Sequence, residues 1–281
     1  MVINMKKSSF SEENKYKLYR SVYDIIHPSI SKKNISNYKI ILDDNISPIR
    51  VFYPEKITIN TSVIIFIPSS INLINNDVNY SKICKELSNK TNSIILGIDY
   101  NSSSENKFPN GLDECYEVVE YLYNALKKNN LDENNIILMG DSLGANIITK
   151  IINKGRKNKI YIKKAILVSL IVDKTDDIEK NKVNIIQLNK FKDFFTKYID
   201  DKGVYNFPID ENNYEEYPEI LLFVGAADPL YTKVISYYDK LKNNKVKINL
   251  NKITFADHNV LGNDDQDIKD ELYKNILEFL N

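Results

Sequence analysis

One short stretch, Ile136–Ile147, limits what this chain can fold into more than any other part of the sequence. It begins with an apolar run, Ile136–Met139, which has the length of a buried strand. A Gly-Asp-Ser-Leu-Gly sequence follows, a G-x-S-x-G motif centred on Ser142. Apolar residues then recur at the spacing of a helix, at Leu143, Ile147, Ile148, Ile151 and Ile152. A serine between a strand and a helix in this pattern is typical of a nucleophile on a sharp turn at the top of a sheet.

The two glycines of the motif have a steric role in such a turn. Side chains at Gly140 and Gly144, two places either side of Ser142, would collide with the turn, so we expect both positions to require glycine. The N–H groups that open the following helix would face whatever bonds to the serine oxygen. A phosphate-binding P-loop is excluded because no lysine follows a second glycine, and a chance match to the motif is the remaining alternative.

Composition excludes several classes of protein. The chain has 281 residues, enough for one large α/β domain or two small ones, and its 38 basic and 38 acidic residues leave no net charge. Neither nucleic acid nor an anionic membrane is therefore an expected partner. No apolar stretch approaches the roughly 18 residues of a spanning helix, and the first residues lack the apolar region of a signal peptide. These features predict a cytoplasmic protein.

Buried strands alternate with amphipathic helices along most of the chain. Continuous apolar strands in such an alternation indicate an α/β fold, with a mostly parallel sheet of about eight strands covered by helices on both faces. The first two strands are predicted to form a hairpin. The predicted strands cover residues 38–42, 49–53, 63–67, 93–99, 136–139, 165–170, 220–224 and 246–253. We expect the whole chain, residues 1–281, to form a single domain.

Two segments lie outside this alternation. Residues 11–27 are predicted to form an N-terminal helix, which Ser11 can cap and which carries tyrosines along one face. Residues 172–217 are polar and contain one aromatic-rich helix, around Phe191–Tyr198, but no clear strand. A long insertion inside a compact domain is usually functional, so we expect the second segment to contribute to a site.

A serine hydroxyl is a poor nucleophile unless a base accepts its proton. The chain has two histidines, and His27 closes the predicted N-terminal helix, where a histidine has a routine structural role. His258, in a loop after the last predicted strand, is therefore the candidate base for Ser142. A histidine that is merely exposed in that loop is the alternative interpretation.

The base in turn needs a carboxylate to hold its tautomer. Asp228 follows the strand at residues 220–224, and sites in open parallel sheets gather at the carboxyl ends of strands. Asp257 is adjacent to His258, but neighbouring side chains in an extended loop diverge, so we expect Asp228 to be the orienting acid. The resulting order along the chain, Ser142, Asp228 and His258, is the serine–acid–histidine order of one catalytic fold class.

Particular segments also carry a family resemblance. Gly140–Asn146 (GDSLGAN) is similar to a GDSAGGN motif, and Ile98–Leu122 is similar to a DYRLAPE-x-x-FP stretch. The segments around Asp228 and His258 resemble the segments that carry the catalytic acid and the catalytic histidine in the same proteins. Together they resemble the hormone-sensitive-lipase-like esterases of the α/β-hydrolase superfamily, from near residue 38 to the end. The resemblance implies an α/β-hydrolase fold in which residues 11–27 and 172–217 occupy the places of a small helical cap.

The chain departs from this family at the loop that supplies donors to an oxyanion. Pro68-Ser69-Ser70-Ile71 stands in the place of the family's HGGG sequence. The resemblance implies an oxyanion hole made by the Leu143 N–H together with groups of Ser69 and Ser70. Serine can present an N–H group, but a positive φ costs it more than it costs glycine. We therefore expect an intact triad beside an altered loop, where loss of one donor would slow the reaction by about a hundred- to a thousandfold.

The resemblance implies a serine hydrolase that cleaves small carboxylic esters through an acyl-enzyme, with no cofactor and no metal. Cys84 and Cys115 fall on separate predicted helices, which favours free buried thiols over a metal site or a disulfide. An amidase or peptidase of the same fold uses the same triad and stays open. A catalytically weak or inactive homologue with a binding role also stays open, because the altered loop favours it. The expected partner is a small-molecule ester, and the sequence leaves a homodimer open.

Overall fold

Nine strands in the described part of the chain pair into one sheet. The computed structural model describes residues 2–4, 38–41, 49–56, 61–69, 79–100, 108–128, 136–173, 185–198 and 205–281. The strands are β1 (Val2–Asn4), β2 (Tyr38–Ile41), β3 (Ile49–Phe52), β4 (Val63–Ile67), β5 (Ile94–Ile98), β6 (Ile136–Asp141), β7 (Lys164–Val168), β8 (Glu219–Gly225) and β9 (Ile248–Ile253). Their order across the sheet is β1-β2-β3-β5-β4-β6-β7-β8-β9. The pairs β2–β3 and β3–β5 are antiparallel, and the other pairs are parallel.

Helices follow most of the parallel strands. They are α1 (Tyr80–Thr91), α2 (Asn110–Lys128), α3 (Leu143–Lys157), α4 (Ile185–Tyr198), α5 (Tyr231–Asn243) and α6 (Gln266–Leu280). Apolar side chains of α2, α3 and α5 pack on one face of the sheet, while those of α1 and α6 pack on the other. Both faces of the central strands are therefore covered, and every residue of β4 and β6 is buried. This explains why these strands are continuously apolar instead of alternating.

The α/β prediction and its predicted strands are confirmed, and so is the antiparallel pairing of the first two. Strand β1 was not predicted, because a strand of 3 residues is too short to show a period. Residues 11–27, where an N-terminal helix was expected, lie outside the described residues. In the insertion at residues 172–217, the described part contains the expected aromatic helix, α4, and no strand. None of the helices in the described part of the chain has the length and apolar content needed to cross a bilayer.

The two cysteines lie on the helices that cover opposite faces of the sheet. Cys84 belongs to α1 and Cys115 to α2, and both are buried free thiols, as the sequence predicts. Burial raises the pKa of the Cys84 thiol to about 12 and that of Cys115 well above its usual value. Both side chains therefore act as small apolar groups of the core.

The start of α3 packs directly against the end of β4. A Cβ atom placed on Gly144 would lie 2.0 Å from the carbonyl oxygen of Ile67, far inside van der Waals contact. A Cβ atom on Gly140 would lie 2.6 Å from the backbone nitrogen of Ala145. The neighbouring atoms are backbone in both cases and cannot turn aside. This confirms the prediction that both positions of the motif require glycine.

The close packing of α3 on β4 makes Gly144 a test of this arrangement. We expect Gly144→Ala to lower the free energy of unfolding by about 3 kcal/mol or more, because helix and strand must move apart. Gly97 of β5 is the matched control, since a Cβ atom there would meet its nearest neighbours at 3.8 Å, an ordinary contact. Urea denaturation of both variants measures the difference. Equal stability of the two variants would contradict the described packing.

Candidate active site

The side chains of Ser142, His258 and Asp228 form one continuous hydrogen-bonded triad. Ser142 Oγ lies 2.8 Å from His258 Nε2, and His258 Nδ1 lies 2.8 Å from Asp228 Oδ2. All three residues are buried. With the proton of Nδ1 donated to the carboxylate, Nε2 is the ring nitrogen left to accept the proton of the serine hydroxyl.

The three residues follow three strands of the parallel part of the sheet. Ser142 directly follows β6, Asp228 follows β8 in the turn to α5, and His258 lies in the loop after β9. Because these strands are parallel, their carboxyl ends meet at one edge of the sheet. Residues that are far apart in the sequence thus come within hydrogen-bonding distance.

The backbone at Ser142 is strained. Its φ of 52° and ψ of −109° are uncommon for a residue with a side chain. The Ser142 N–H donates to the carbonyl oxygen of Val168 on β7 at 2.9 Å, and the Ser142 carbonyl accepts from the N–H of Asn146 at 3.1 Å. Strand pairing on one side and helix formation on the other therefore hold the turn in this conformation.

Asp228, and not Asp257, contacts the imidazole. The second carboxylate oxygen of Asp228, Oδ1, accepts the N–H of Leu230 at 2.8 Å, so both oxygens of this carboxylate are fixed. The Asp257 side chain instead accepts the N–H of Asn259 at 2.8 Å. The orienting position at His258 Nδ1 is thus occupied by the acid that the sequence analysis selected.

Charge around His258 favours its protonated form. Burial by itself lowers the pKa of His258, but the carboxylates of Asp228, Asp141 and Asp257 outweigh it and leave the pKa above 6.5. Burial raises the pKa of the Asp141 carboxyl to about 6, although the hydrogen bond from Tyr80 and the charge of His258 act in the opposite direction. An imidazolium formed in this site is therefore stabilised by more than its contact with Asp228.

Asp141 and Tyr80 are site residues that the sequence analysis missed. The Tyr80 hydroxyl donates to Asp141 Oδ2 at 2.8 Å, and Asp141 directly precedes Ser142. A carboxylate at the variable position of the G-x-S-x-G motif was the available signal for Asp141. Tyr80 starts helix α1, 61 positions away in the sequence, and no local pattern connects the two residues.

Of the predicted oxyanion donors, Leu143 directly follows Ser142, and Ser69 is connected to the neighbouring Asp141 through Tyr80. Leu143 opens α3, where the first N–H groups of a helix have no acceptor within the helix and the helix dipole favours negative charge. Ser69 follows β4, and its backbone amide is hydrogen-bonded to the Tyr80 hydroxyl. Ser70 lies outside the described residues. A donor role for these three residues stays a prediction.

Helix α4 of the 172–217 insertion packs on the imidazole. The ring of Phe191 meets that of His258 edge to face, with ring centroids 4.6 Å apart and planes at 89°. The same insertion contacts the helix after the motif, where the Tyr205 hydroxyl donates to Asn146 Oδ1. Tyr205 also packs against Phe108, which precedes α2, at 4.7 Å between centroids. Helix α4 of the insertion therefore covers one side of the His258 ring.

The site presents a hydroxyl, an imidazole and a carboxylate that are linked by hydrogen bonds. Among the residues that the structure describes, no group of three or more His, Cys, Asp or Glu side chains is placed to hold a metal ion. Linked in this order, these groups can serve as a nucleophile, a base and an acid that orients the base. This arrangement can transfer an acyl group from a substrate to Ser142 and from there to water.

Comparison with known sequences points in the same direction. Residues 72–262 match a family described as "alpha/beta hydrolase fold". The "Putative alpha/beta hydrolase R526" of Acanthamoeba polyphaga mimivirus is 39% identical over 70 residues, which are 25% of this chain and only 20% of that protein. The "Arylesterase" of Saccharolobus solfataricus is 22% identical over 259 residues, covering 87% of this chain and 82% of that protein.

Solved structures share the fold along almost the whole chain. A "Structure of arylesterase" has a TM-score of 0.71 at 21% identity, covering 96% of this chain and 90% of the other. A hyperthermophilic esterase from the archaeon Pyrobaculum calidifontis has a TM-score of 0.74 at 16% identity, covering 96% and 92%. At these identities the similarity shows a common fold.

Proposed function

The chain belongs to the alpha/beta hydrolase fold family, and on that premise we propose that it is a serine hydrolase that cleaves small carboxylic esters through an acyl-enzyme. The observation that carries the proposal is the buried triad of Ser142, His258 and Asp228, with both of its hydrogen bonds at 2.8 Å. The similarity to an arylesterase over most of the chain supports an ester as the substrate. A cytoplasmic location and a small-molecule ester as the partner belong to the same proposal.

In the first half of the reaction, Ser142 Oγ attacks the ester carbonyl carbon while His258 Nε2 accepts the serine proton. Asp228 keeps the other proton of the ring on Nδ1 and stabilises the imidazolium that forms. The tetrahedral intermediate then collapses as the bond to the alcohol oxygen breaks, and that oxygen takes the proton from Nε2. Ser142 is left acylated and His258 neutral.

Water completes the cycle by the same route. His258 Nε2 removes a proton from a water molecule as its oxygen attacks the acyl carbon, which forms a second tetrahedral intermediate. The bond to Ser142 Oγ breaks, the serine oxygen regains the proton from Nε2, and the carboxylic acid leaves. In both halves the negative oxygen faces the start of α3, where the Leu143 N–H is the proposed first donor. Because the Ser69 N–H is hydrogen-bonded to the Tyr80 hydroxyl, the Ser69 side-chain hydroxyl and the groups of Ser70 are the proposed source of the second.

The insertion has a place in this proposal as a cap. Residues 172–217 would form a lid segment of a single hydrolase domain, with α4 above the triad. The contact of Phe191 with His258 supports this assignment, because it excludes water from one side of the imidazole. Removing water strengthens the electrostatic interactions inside the site.

A binding protein without turnover is a second candidate function. The observation that favours it is the loop Pro68–Ser69, which has no glycine to shape it where the resembled family has several. The intact triad favours catalysis, since a hydrogen-bonded serine and histidine at 2.8 Å has no evident use in ligand binding alone. A fluorophosphonate probe separates the two candidates because it reacts with an activated serine. Labelling of the wild-type chain would support the hydrolase.

The nucleophile is tested by Ser142→Ala. We expect hydrolysis of p-nitrophenyl acetate and fluorophosphonate labelling to disappear, because no other group replaces the attacking oxygen. The melting temperature should stay close to that of the wild type, since the change removes one oxygen atom from a backbone that other contacts hold. Residual turnover by the variant at the wild-type rate would show that another residue is the nucleophile.

The acid is tested by Asp228→Asn. We expect kcat to fall by about 10⁴-fold, because the amide favours the wrong tautomer of His258. Asp257→Asn is the matched control, because it makes the same chemical change next to His258 but at a side chain that contacts Asn259 instead. In steady-state kinetics, kcat should be far lower for Asp228→Asn than for Asp257→Asn. The reverse ranking would assign the orienting role to Asp257.

The pH dependence follows from the raised pKa of His258. Only the neutral imidazole can accept the serine proton, so kcat/KM should rise with pH and reach half its plateau above pH 6.5. Below that midpoint His258 is protonated and activity is lost. Measurement of kcat/KM from about pH 5 to about pH 9 tests this. A midpoint well below 6.5 would mean that the surrounding carboxylates do not act on His258 as described.

A further inference from the structure

Two tyrosine hydroxyls hold the peptide group between Pro68 and Ser69. The Tyr100 hydroxyl donates to the carbonyl oxygen of Pro68 at 3.0 Å. The backbone amide of Ser69, on the other end of the same peptide group, is hydrogen-bonded to the Tyr80 hydroxyl. Because this peptide bond is trans, its C=O and N–H point in opposite directions. The two phenols therefore hold it from opposite sides.

Tyr80 is itself fixed to the motif that carries the nucleophile. Its hydroxyl accepts from Ser69 and donates to Asp141 Oδ2, the carboxylate that directly precedes Ser142. Its ring packs on Phe66 of β4 at 5.7 Å between centroids. Burial, together with the charge of Asp141, raises the pKa of Tyr80 well above its usual value, so the phenol remains a neutral donor. The chain of contacts thus runs from the loop, through Tyr80, to the turn at Ser142.

The held peptide also touches the helix that supplies the first proposed oxyanion donor. The carbonyl oxygens of Ile67 and Pro68 lie 2.0 Å and 2.9 Å from the point where a Cβ atom of Gly144 would sit. Gly144 follows Leu143 in the first turn of α3. Any displacement of the Pro68–Ser69 peptide would therefore shift the start of α3.

We propose that Tyr80 and Tyr100 are positioning residues, a tyrosine clamp that holds the Pro68–Ser69 peptide, and with it the proposed donor residue Ser69, against the start of α3. The inference rests on the proposed hydrolase function. A glycine-rich loop reaches unusual backbone conformations at little cost, whereas this loop contains proline and serine. Contacts from outside the loop then have to fix its position. Catalytic donors must be preorganised to within fractions of an ångström, so such contacts act on the transition state.

The clamp is tested by removing one hydroxyl at a time, with Tyr80→Phe and Tyr100→Phe. Each variant keeps its ring and loses the hydrogen bond to the peptide. We expect each to lower kcat for p-nitrophenyl acetate by about ten- to a hundredfold with KM changed less than about twofold, because the loss falls on the transition state. A boronic acid that forms a tetrahedral adduct with Ser142 should bind more weakly by the same factor.

Tyr273→Phe is the matched control. The Tyr273 hydroxyl also donates to a carboxylate, Glu86 Oε2 at 3.2 Å, and the residue is buried between α6 and α1 away from the triad. Its variant makes the same chemical change, so its kcat, KM and boronate affinity should match the wild type. Thermal denaturation of all variants shows whether a loss of activity merely follows a loss of stability.

Two variants of Asp141 distinguish a role in positioning Tyr80 from an effect of the carboxylate charge. Asp141→Asn keeps an oxygen that can accept from Tyr80, whereas Asp141→Ala removes it. If the contact with Tyr80 is what matters, Asp141→Asn should retain about tenfold more of the wild-type kcat than Asp141→Ala. Equal losses in the two variants would overturn the role of Asp141 as the anchor of Tyr80.

A failure of the clamp proposal can be distinguished from a failure of the proposed hydrolase function. If Tyr80→Phe and Tyr100→Phe match Tyr273→Phe while the wild type hydrolyses esters, the clamp is overturned and the hydrolase function stands. A loss that appears in KM or in the melting temperature, with unchanged boronate affinity, also overturns it. If the wild-type chain neither turns over esters nor reacts with a fluorophosphonate, the proposed function fails and the clamp fails with it.

Discussion

The strained turn at Ser142 is the constraint on which the rest of the site depends. A residue with a side chain held at φ 52° costs of order 1–3 kcal/mol. The turn persists because β7 accepts its N–H, α3 uses its carbonyl, and glycines at 140 and 144 let strand and helix approach to backbone contact. The turn places the hydroxyl at the edge of the sheet where strands β8 and β9 also end. The geometry of this turn thus determines both where the Ser142 hydroxyl lies and which groups it can contact.

The buried charges around His258 explain how an imidazole so removed from water can still take up a proton. Desolvation opposes the charged ring, and three carboxylates offset it, of which Asp228 makes the direct contact. Asp141 contributes without touching the ring nitrogens that the triad uses, and Tyr80 satisfies one of its oxygens. Because a buried carboxylate without a partner would be costly, the Tyr80 hydrogen bond lets the motif carry an acidic residue at that position.

The fold was predictable from sequence wherever the pattern was local. Continuous apolar runs identified the central strands, and the alternation with helices identified the parallel sheet, whereas β1 was too short for either signal. His258 and Asp228 could be selected because few histidines were available and because strand ends in a parallel sheet share one edge. Tyr80 contacts Asp141, 61 positions away in the sequence, and Tyr100 contacts Pro68, 32 positions away. No sequence period or motif predicts either contact.

The loop after β4 differs from a glycine-rich oxyanion loop in what holds its conformation. A glycine-rich loop carries its conformation in its own backbone and needs little from its surroundings. In this chain the corresponding loop begins with Pro68, whose ring restricts φ and removes a donor, so less conformational freedom remains. Its peptide group is instead fixed by side chains that project from the start of α1 and from the end of β5. The geometry at the oxyanion side then depends on how those elements pack on the sheet, which couples the reactivity of Ser142 to the tertiary structure of the core.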